Sequence, residues 1–241
     1  MMKTLCLDFG NTRLKAAVFY GQTLREEIPV KENSREAILS LIDHYNPSKS
    51  ILSSVINHDP EIENILSNKT QFHKLSDKSK KNFSIPVSKP DTIGPDRLAL
   101  MAAAVDIYPG KNNLVIGMGS CITYNFVDQR GSFLGGAISP GMDMRFRAMH
   151  EFTAKLPLTG ADWNFPLIGY NTPTNLQSGV IHGICGEIEG FINRYSEKFG
   201  NFNAILTGGN ALHFASQLKN RIFADANLLF KGLYVLSEIN S

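Results

Sequence analysis

Apolar and polar positions change period along this chain, and the changes mark its elements. Thr4–Asp8, Leu14–Tyr20 and Thr23–Val30 read as three strands, with Tyr20-Gly21-Gln22 as a turn. From about Ser34 to Tyr45 the apolar residues Ile38, Leu39, Leu41 and Ile42 follow an amphipathic helical spacing, and Asn33 and Ser34 are candidate caps. Ser50–Val55 reads as a buried strand, Glu61–Leu66 as a short helix and Gln71–Leu75 as a weaker strand. Lys78–Pro90 is polar and turn-rich. Ile93-Gly94-Pro95-Asp96-Arg97 then opens a strongly helical run, Leu98–Ile107, and Pro95 suits the first turn of a helix. Pro109-Gly110 ends it and marks an expected domain boundary, with residues 1–110 on one side and 111–241 on the other.

The second half repeats the start. Leu114–Ile116 predicts a strand, followed by the small-residue loop Gly117-Met118-Gly119-Ser120. Ile122–Asp128 and Ser132–Ile138 are strands around the turn Gln129-Arg130-Gly131, and Gly135-Gly136 implies close backbone approach. Helices are expected over Met142–Phe152, Asn175–Tyr195, Ala211–Leu218 and Phe230–Ile239, with Leu158–Gly169 irregular and Ala204–Leu206 a strand. Three strands and then a helix occur twice, the pattern of a duplicated α/β unit with a cleft between copies.

Composition narrows the function classes. The 241 residues are 43% hydrophobic and 19% charged, which suits a packed core and argues against disorder. The formal charge of +2 gives no footprint for nucleic acid, and the basic run Lys78 to Lys81 reads as a solvated loop. No apolar run reaches the roughly 18 residues that cross a bilayer, and a start that runs straight into a strand carrying Asp8 is not a signal peptide. Cys6, Cys121 and Cys185 lack metal-ligand spacing and read as reduced core thiols of a cytoplasmic protein. His44, His58, His73, His150, His182 and His213 form no H-x-E or H-x₃-H pattern and read as structural.

The candidate chemistry sits at strand ends. In Asp8-Phe9-Gly10-Asn11-Thr12, Gly10 lets backbone N–H groups approach a phosphate and Asn11 and Thr12 add donors. Asp8 is placed to hold Mg²⁺ through water, and Lys15 to neutralise phosphate charge. The competing reading is a hairpin turn in which Asn and Gly supply the required backbone angles. Gly94-Pro95-Asp96-Arg97 sets a general base beside an anion anchor; the competing reading is an acidic helix start with an exposed Arg. Gly117–Ser120 repeats the phosphate-loop design without a leading carboxylate. Thr207-Gly208-Gly209-Asn210, between a strand and a helix, suits a nucleotide or a tight turn. Ser139-Pro140-Gly141 with Arg145, and Asn171-Thr172, are weaker candidates for substrate contact.

Asp8–Lys15, Gly94–Arg97, Gly119-Ser120 with Thr123, Gly135–Gly141, Thr153–Pro157, Asn171-Thr172 to Ser178-Gly179 and Thr207-Gly208-Gly209 occur in that order. Together they resemble type III pantothenate kinase, of the acetate and sugar kinase/Hsp70/actin superfamily, over nearly the whole chain. The resemblance implies two ribonuclease-H-like domains of actin-like ATPase type, a homodimer, and ATP-dependent phosphorylation of pantothenate with Mg²⁺ and a monovalent cation, K⁺ or NH₄⁺. Carried over, Asp8, Phe9, Gly10, Asn11, Thr12, Arg13, Leu14 and Lys15, with Gly119, Ser120, Gly208 and Gly209, contact ATP. Gly94, Pro95, Asp96 and Arg97 line the pantothenate site, Asp96 as proton acceptor and Arg97 on the carboxylate, and Thr172 reaches pantothenate near the dimer interface.

The chain departs from the family pattern at three places. Gly117 stands where the second loop usually opens with the Asp that resembles a monovalent-cation ligand, and Ser120 replaces Thr. No Tyr lies between Phe83 and Gly94, where the family usually has one, and Ile85–Asp91 looks shortened. Two other readings stay open at this point: a non-catalytic or regulatory nucleotide-binding relative, and a kinase of another small hydroxy-acid.

Overall fold

The structure is a computed structural model and describes residues 2–86 and 90–240. Val87-Ser88-Lys89, part of the expected turn-rich segment, lies outside the described residues. The chain divides into two compact units, Met1–Gly110 with Val127–Leu134 and Asn227–Ser241, and Lys111–Phe126 with Gly135–Ala226. The first unit thus takes in the tip of a hairpin and the last helix as well as residues up to 110.

The first unit is a five-stranded sheet in the order β3-β2-β1-β4-β5. Its strands are β1 (Lys3–Phe9), β2 (Leu14–Tyr20), β3 (Thr23–Val30), β4 (Lys49–Ser54) and β5 (Gln71–Lys74). β1, β2 and β3 pair antiparallel, whereas β4 runs parallel to β1 and β5 parallel to β4. A central strand buried on both faces needs an unbroken apolar run, and Leu5, Cys6 and Leu7 supply it. Alternation sends Leu5, Leu7 and Phe9 to one face with Ala16 and Leu52. There they meet Ile38 and Ile42 of α1 (Arg35–Tyr45) and Ile62 and Leu66 of α2 (Pro60–Lys69). Ser34 caps α1 by accepting from the Ala37 N–H at 3.3 Å, as the sequence suggested.

The other face carries Cys6, Ala17 and Ile51. It is covered by α3 (Pro95–Ile107) and α7 (Leu228–Ile239), through Leu98, Ala99, Met101, Leu233 and Leu236. The two helices pass so closely that a Cβ on Gly232 would lie 1.8 Å from the Ala99 carbonyl oxygen. That contact explains why the last helix groups with the first unit. α3 is buried almost all round from Leu98 to Ala104, which makes its first turn a rigid mount.

The second unit has a sheet in the order β10-β9-β6-β7-β8. Its strands are β6 (Asn113–Met118), β7 (Cys121–Val127), β8 (Phe133–Pro140), β9 (Asn203–Gly208) and the short β10 (Phe223–Ala224), which sequence periodicity did not reveal. Its helices are α4 (Met142–Glu151), α5 (Thr172–Phe199) and α6 (Ala211–Ala215). One core joins Leu114, Ile116, Tyr124 and Leu206 to Phe146, Ile181, Ile184, Ile188 and Phe214. α5 starts three residues before the expected Asn175. Asn171 accepts from the Thr174 N–H in a capping box, and Pro173 sits in the first turn, where its missing N–H costs nothing. α6 is only five residues, shorter than the expected Ala211–Leu218.

Candidate active site

Asp8 lies near the end of β1, paired with Lys15 on β2 and Ser53 on β4. Side chains on one face of neighbouring strands line up, so Asp8 projects to the face that α3 and α7 cover. Its Oδ1 accepts from Ser53 Oγ at 3.3 Å. Its Oδ2 stands 3.9 Å from the point a Gly10 Cβ would occupy, toward the first turn. That turn is closed by the Gly10 N–H donating to the Arg13 carbonyl at 3.2 Å. Asn11, Thr12 and Arg13 are exposed on it.

An open cavity of about 870 Å³ borders the turn, lined by Gly10 to Lys15, Glu27, Pro29, Val30, Lys31 and Ile56. Two details differ from the sequence reading. The Phe9 side chain is fully buried and meets His58 edge to face at 5.7 Å, so it packs the core and offers a ligand only its backbone. Lys15 is ion-paired with Glu27, so its charge is already shared across β2 and β3.

Gly94 is the N-cap of α3, with φ −59° and ψ 142°, and Pro95 takes the first turn. Asp96 and Arg97 follow on that turn, both partly buried. Arg97 places its guanidinium 5.7 Å from the Phe133 ring centroid. Burial lowers the Arg97 pKa from its ordinary value, and the neighbouring Asp96 charge opposes this. Burial raises the Asp96 carboxyl above its ordinary range, against the pull of the Arg97 N–H, the Arg97 charge and its own N–H. Asp8 is pushed from 3.8 up to about 7, first by burial and then by the Asp96 charge, with Ser53 and Lys15 opposing. The structure therefore brings together two mutually repelling carboxyls, a guanidinium and a tight glycine turn at one end of one sheet.

The donor chemistry fits a divalent cation. Carboxylate and hydroxyl oxygens are hard ligands, and the cation relieves the repulsion between Asp8 and Asp96. Among the described residues no group of three or more His, Cys, Asp or Glu forms a protein-only metal cage.

The repulsion has a measurable consequence. A carboxyl that titrates near 7 in the fold favours folding below about pH 4, and that contribution is lost as pH rises through 7. Asp8→Asn is expected to raise Tm at pH 8 by the equivalent of about 2 kcal/mol, with the gain vanishing toward pH 4. Thermal melts of both proteins across pH 4–8 check this; a pH-independent difference would contradict it.

In the second unit the expected loop is shorter than 117–120. β6 continues through Gly117 and Met118, so the turn is Gly119 and Ser120 alone, closed by the Gly119 N–H on the Cys121 carbonyl at 3.0 Å. Gly117 is a buried strand residue paired with Thr207 of β9 and brings no side-chain oxygen. The side-chain ligand that the resemblance places here for a monovalent cation is therefore missing at position 117.

Gly208 has φ +107°, and a Cβ there would lie 2.2 Å from the Met118 carbonyl, so only glycine fits. Gly209 is exposed in the turn that follows. The five-residue α6 beyond it is too short for a helix N-terminus to matter, which leaves the Gly-Gly backbone itself as the feature. Gly136 and Gly141 are also steric requirements: added Cβ atoms would stand 1.6 Å from the Tyr124 carbonyl and 2.4 Å from that of Gly119. The glycine-rich stretch therefore lets β8 lie against β7 and supports the 119–120 turn. Thr172 is exposed at the first position of α5.

Ser139 and Arg145 are engaged internally. Arg145 donates to the Pro140 carbonyl at 2.9 Å and pairs with Glu187, which also accepts from Tyr124 at 2.8 Å and Ser139 at 2.5 Å. Burial alone would raise Glu187, but those hydrogen bonds outweigh it and hold the carboxyl below its usual range. Sequence reasoning missed Glu187 and Ser53. One is a carboxylate on a long helix and the other a serine in an apolar strand, and neither carries a local signal.

A profile of the family described as type III pantothenate kinase matches residues 4–194. A type III pantothenate kinase of Christiangramia forsetii is 42% identical over 238 residues, covering 98% of each chain. A conserved Baf family protein of Campylobacter jejuni shares the fold with TM-score 0.60 and 19% identity, covering 97% of each chain. An inorganic polyphosphate/ATP-glucomannokinase of Arthrobacter shares it at TM-score 0.50 and 13% identity, covering 99% of this chain and 98% of its own. The two mixed sheets with their helices accord with duplicated actin-like α/β units.

Proposed function

The chain belongs to the type III pantothenate kinase family, and we propose from that premise that Asp96 takes the proton from the pantothenate hydroxyl. The activity is ATP-dependent phosphorylation of pantothenate, the entry step to coenzyme A. The observation that carries the assignment is the raised carboxyl of Asp96 beside Arg97 on the first turn of α3. A base whose pKa has moved toward neutrality matches proton abstraction at physiological pH. Arg97 presents the donors that grip the substrate carboxylate. The presence of Asp8, Asp96 and Arg97 together disfavours a non-catalytic relative.

Asp8 would hold the divalent ion through water, and the turn from Gly10 to Lys15 would meet the phosphates chiefly through the exposed Asn11 and Thr12. Mg²⁺, when bound, neutralises charge on the β- and γ-phosphates. Gly119, Ser120, Gly208 and Gly209 are assigned to the nucleotide from the second unit. Gly117 leaves a monovalent cation without its side-chain ligand, which supports a weakened dependence on K⁺ or NH₄⁺. Thr172 is offered to pantothenate at the face of a second copy. Leu167, Ile168 and Tyr170 stand exposed just before it and support a homodimer. Three free thiols support a cytoplasmic setting, and among the described residues no helix is long and apolar enough to cross a membrane.

The test is pantothenate-dependent ADP release by purified protein in K⁺, NH₄⁺ and Na⁺ salts, with light scattering on the same sample. Expected are turnover in all three salts within about threefold, well short of the ~100-fold loss that removing one electrostatic contact can cause, and a mass near twice 26.6 kDa. Folded protein that releases no ADP in any salt would overturn the assignment. Activation confined to K⁺ and NH₄⁺ would overturn the reading of Gly117.

A further inference from the structure

We propose that Ser53 is a positioning residue for the divalent ion: its buried hydroxyl fixes Asp8 so that one carboxylate oxygen faces the phosphate turn. The proposal rests on the reading of Asp8 as the carboxylate on the ion's side.

β4 reads Lys-Ser-Ile-Leu-Ser-Ser, and Ile51 and Leu52 are fully buried. Ser53 follows them with 0% exposure. A hydroxyl at such a depth is unfavourable unless it is hydrogen-bonded, and an alanine or valine would suit an apolar strand better. Ser53 directs its hydroxyl to Asp8 Oδ1 at 3.3 Å. The parallel register sets the two side by side, because Asp8 and Ser53 are direct partners, as are Leu7 with Leu52 and Phe9 with Ser54.

The two oxygens of Asp8 therefore have different surroundings. Oδ1 accepts from Ser53, and Oδ2 lies on the side of Gly10. A carboxylate that holds a hydrated ion must present its oxygen in one orientation, and a donor on the other oxygen removes the freedom to rotate about Cβ–Cγ. The hydroxyl is neutral, so it orients Asp8 without adding a charge that competes with the ion. Ser54 lies on the opposite face and bonds His58 at 2.9 Å, so the two adjacent serines serve different faces of the sheet.

The experiment compares Ser53→Ala, Ser53→Val and Ser53→Thr in the full chain. Calorimetry measures ADP binding with Mg²⁺ and with excess EDTA, and ADP release gives the Mg²⁺ concentration for half-maximal turnover. Thr and Val have nearly the same shape, so their difference isolates the hydroxyl from the packing. Ala and Val are expected to weaken Mg·ADP binding about fivefold to tenfold and to raise the half-maximal Mg²⁺ by a similar factor. Metal-free ADP binding should stay within twofold in all variants, and Thr should behave as wild type. Equal Mg·ADP affinity in the Val and Thr variants would overturn the proposal, as would an equal loss with and without Mg²⁺. The calorimetric readout needs no pantothenate, so failure of the substrate assignment is distinguished from failure of this one.

Discussion

Asp96→Asn is expected to lower kcat about 10³-fold while ATP affinity stays within about twofold. General bases contribute roughly 10²–10⁴-fold, and an amide cannot accept the proton in the working pH range. Asn keeps the shape of Asp and an oxygen that can accept from the first-turn N–H groups, so the start of α3 should survive. The rest of α3 is fixed by burial from Leu98 to Ala104, independently of residue 96. ADP release and calorimetry on one preparation separate the two effects. A second signature follows from the charge pair. Asp96 helps push Asp8 up to about 7, so the variant should show Asp8 titrating lower, by carboxyl NMR. Retained turnover would remove Asp96 from its role, and an unmoved Asp8 would remove the coupling.

Gly94→Ala should separate activity from stability even more cleanly. Gly94 has φ −59°, which alanine adopts without strain, so conformational freedom does not explain the glycine. Space does. A Cβ at position 94 would stand 2.4 Å from Asp96 Oδ1, too close for the carboxylate to remain where it is. The side chain can rotate away, but the carboxylate then leaves its place. A displacement of about 1 Å at a reacting group can cost 10²-fold in rate, and this is the expected loss in kcat. Tm should hold or rise slightly, because Gly→Ala at a compatible angle restricts the unfolded chain by about 0.4–1 kcal/mol. Loss of activity together with a falling Tm would instead mean that the first turn of α3 had been disrupted.

Much of the site was legible because its chemistry is local. Asp8, Gly10, Asn11 and Thr12 announce a strand end followed by a turn, and Pro95-Asp96-Arg97 announces a helix start. The ordered motifs extended that reading to the family. Where the reading was incomplete, the cause was long-range. Lys15 was assigned to phosphate, but strand β3 brings Glu27 to it. Gly117 was placed in a loop, but pairing with Thr207 extends β6 through it. Arg145 was a candidate for substrate, but Glu187 on α5 takes it. Gly136 was read as a close-approach signal, Gly141 as part of a candidate substrate contact and Gly208 as part of a nucleotide site or a tight turn, and each also answers to a carbonyl on a neighbouring segment.

Alone, the sequence determined which segments are strand or helix and which residue types stand at their ends. Side-chain period, caps and turn residues act over a few positions, so local order carries that information. The tertiary structure decided which of those ends work together. Asp8 and Ser53 lie 45 residues apart and meet because β4 joins β1 in parallel register. Asp96 reaches the same face because the apolar sides of α3 and α7 have only that face of the sheet to bury against. A local pattern can state which side of an element is apolar. Only the packed sheet selects the neighbour that side will meet, and here that selection sets the Asp8 and Asp96 carboxyls against each other.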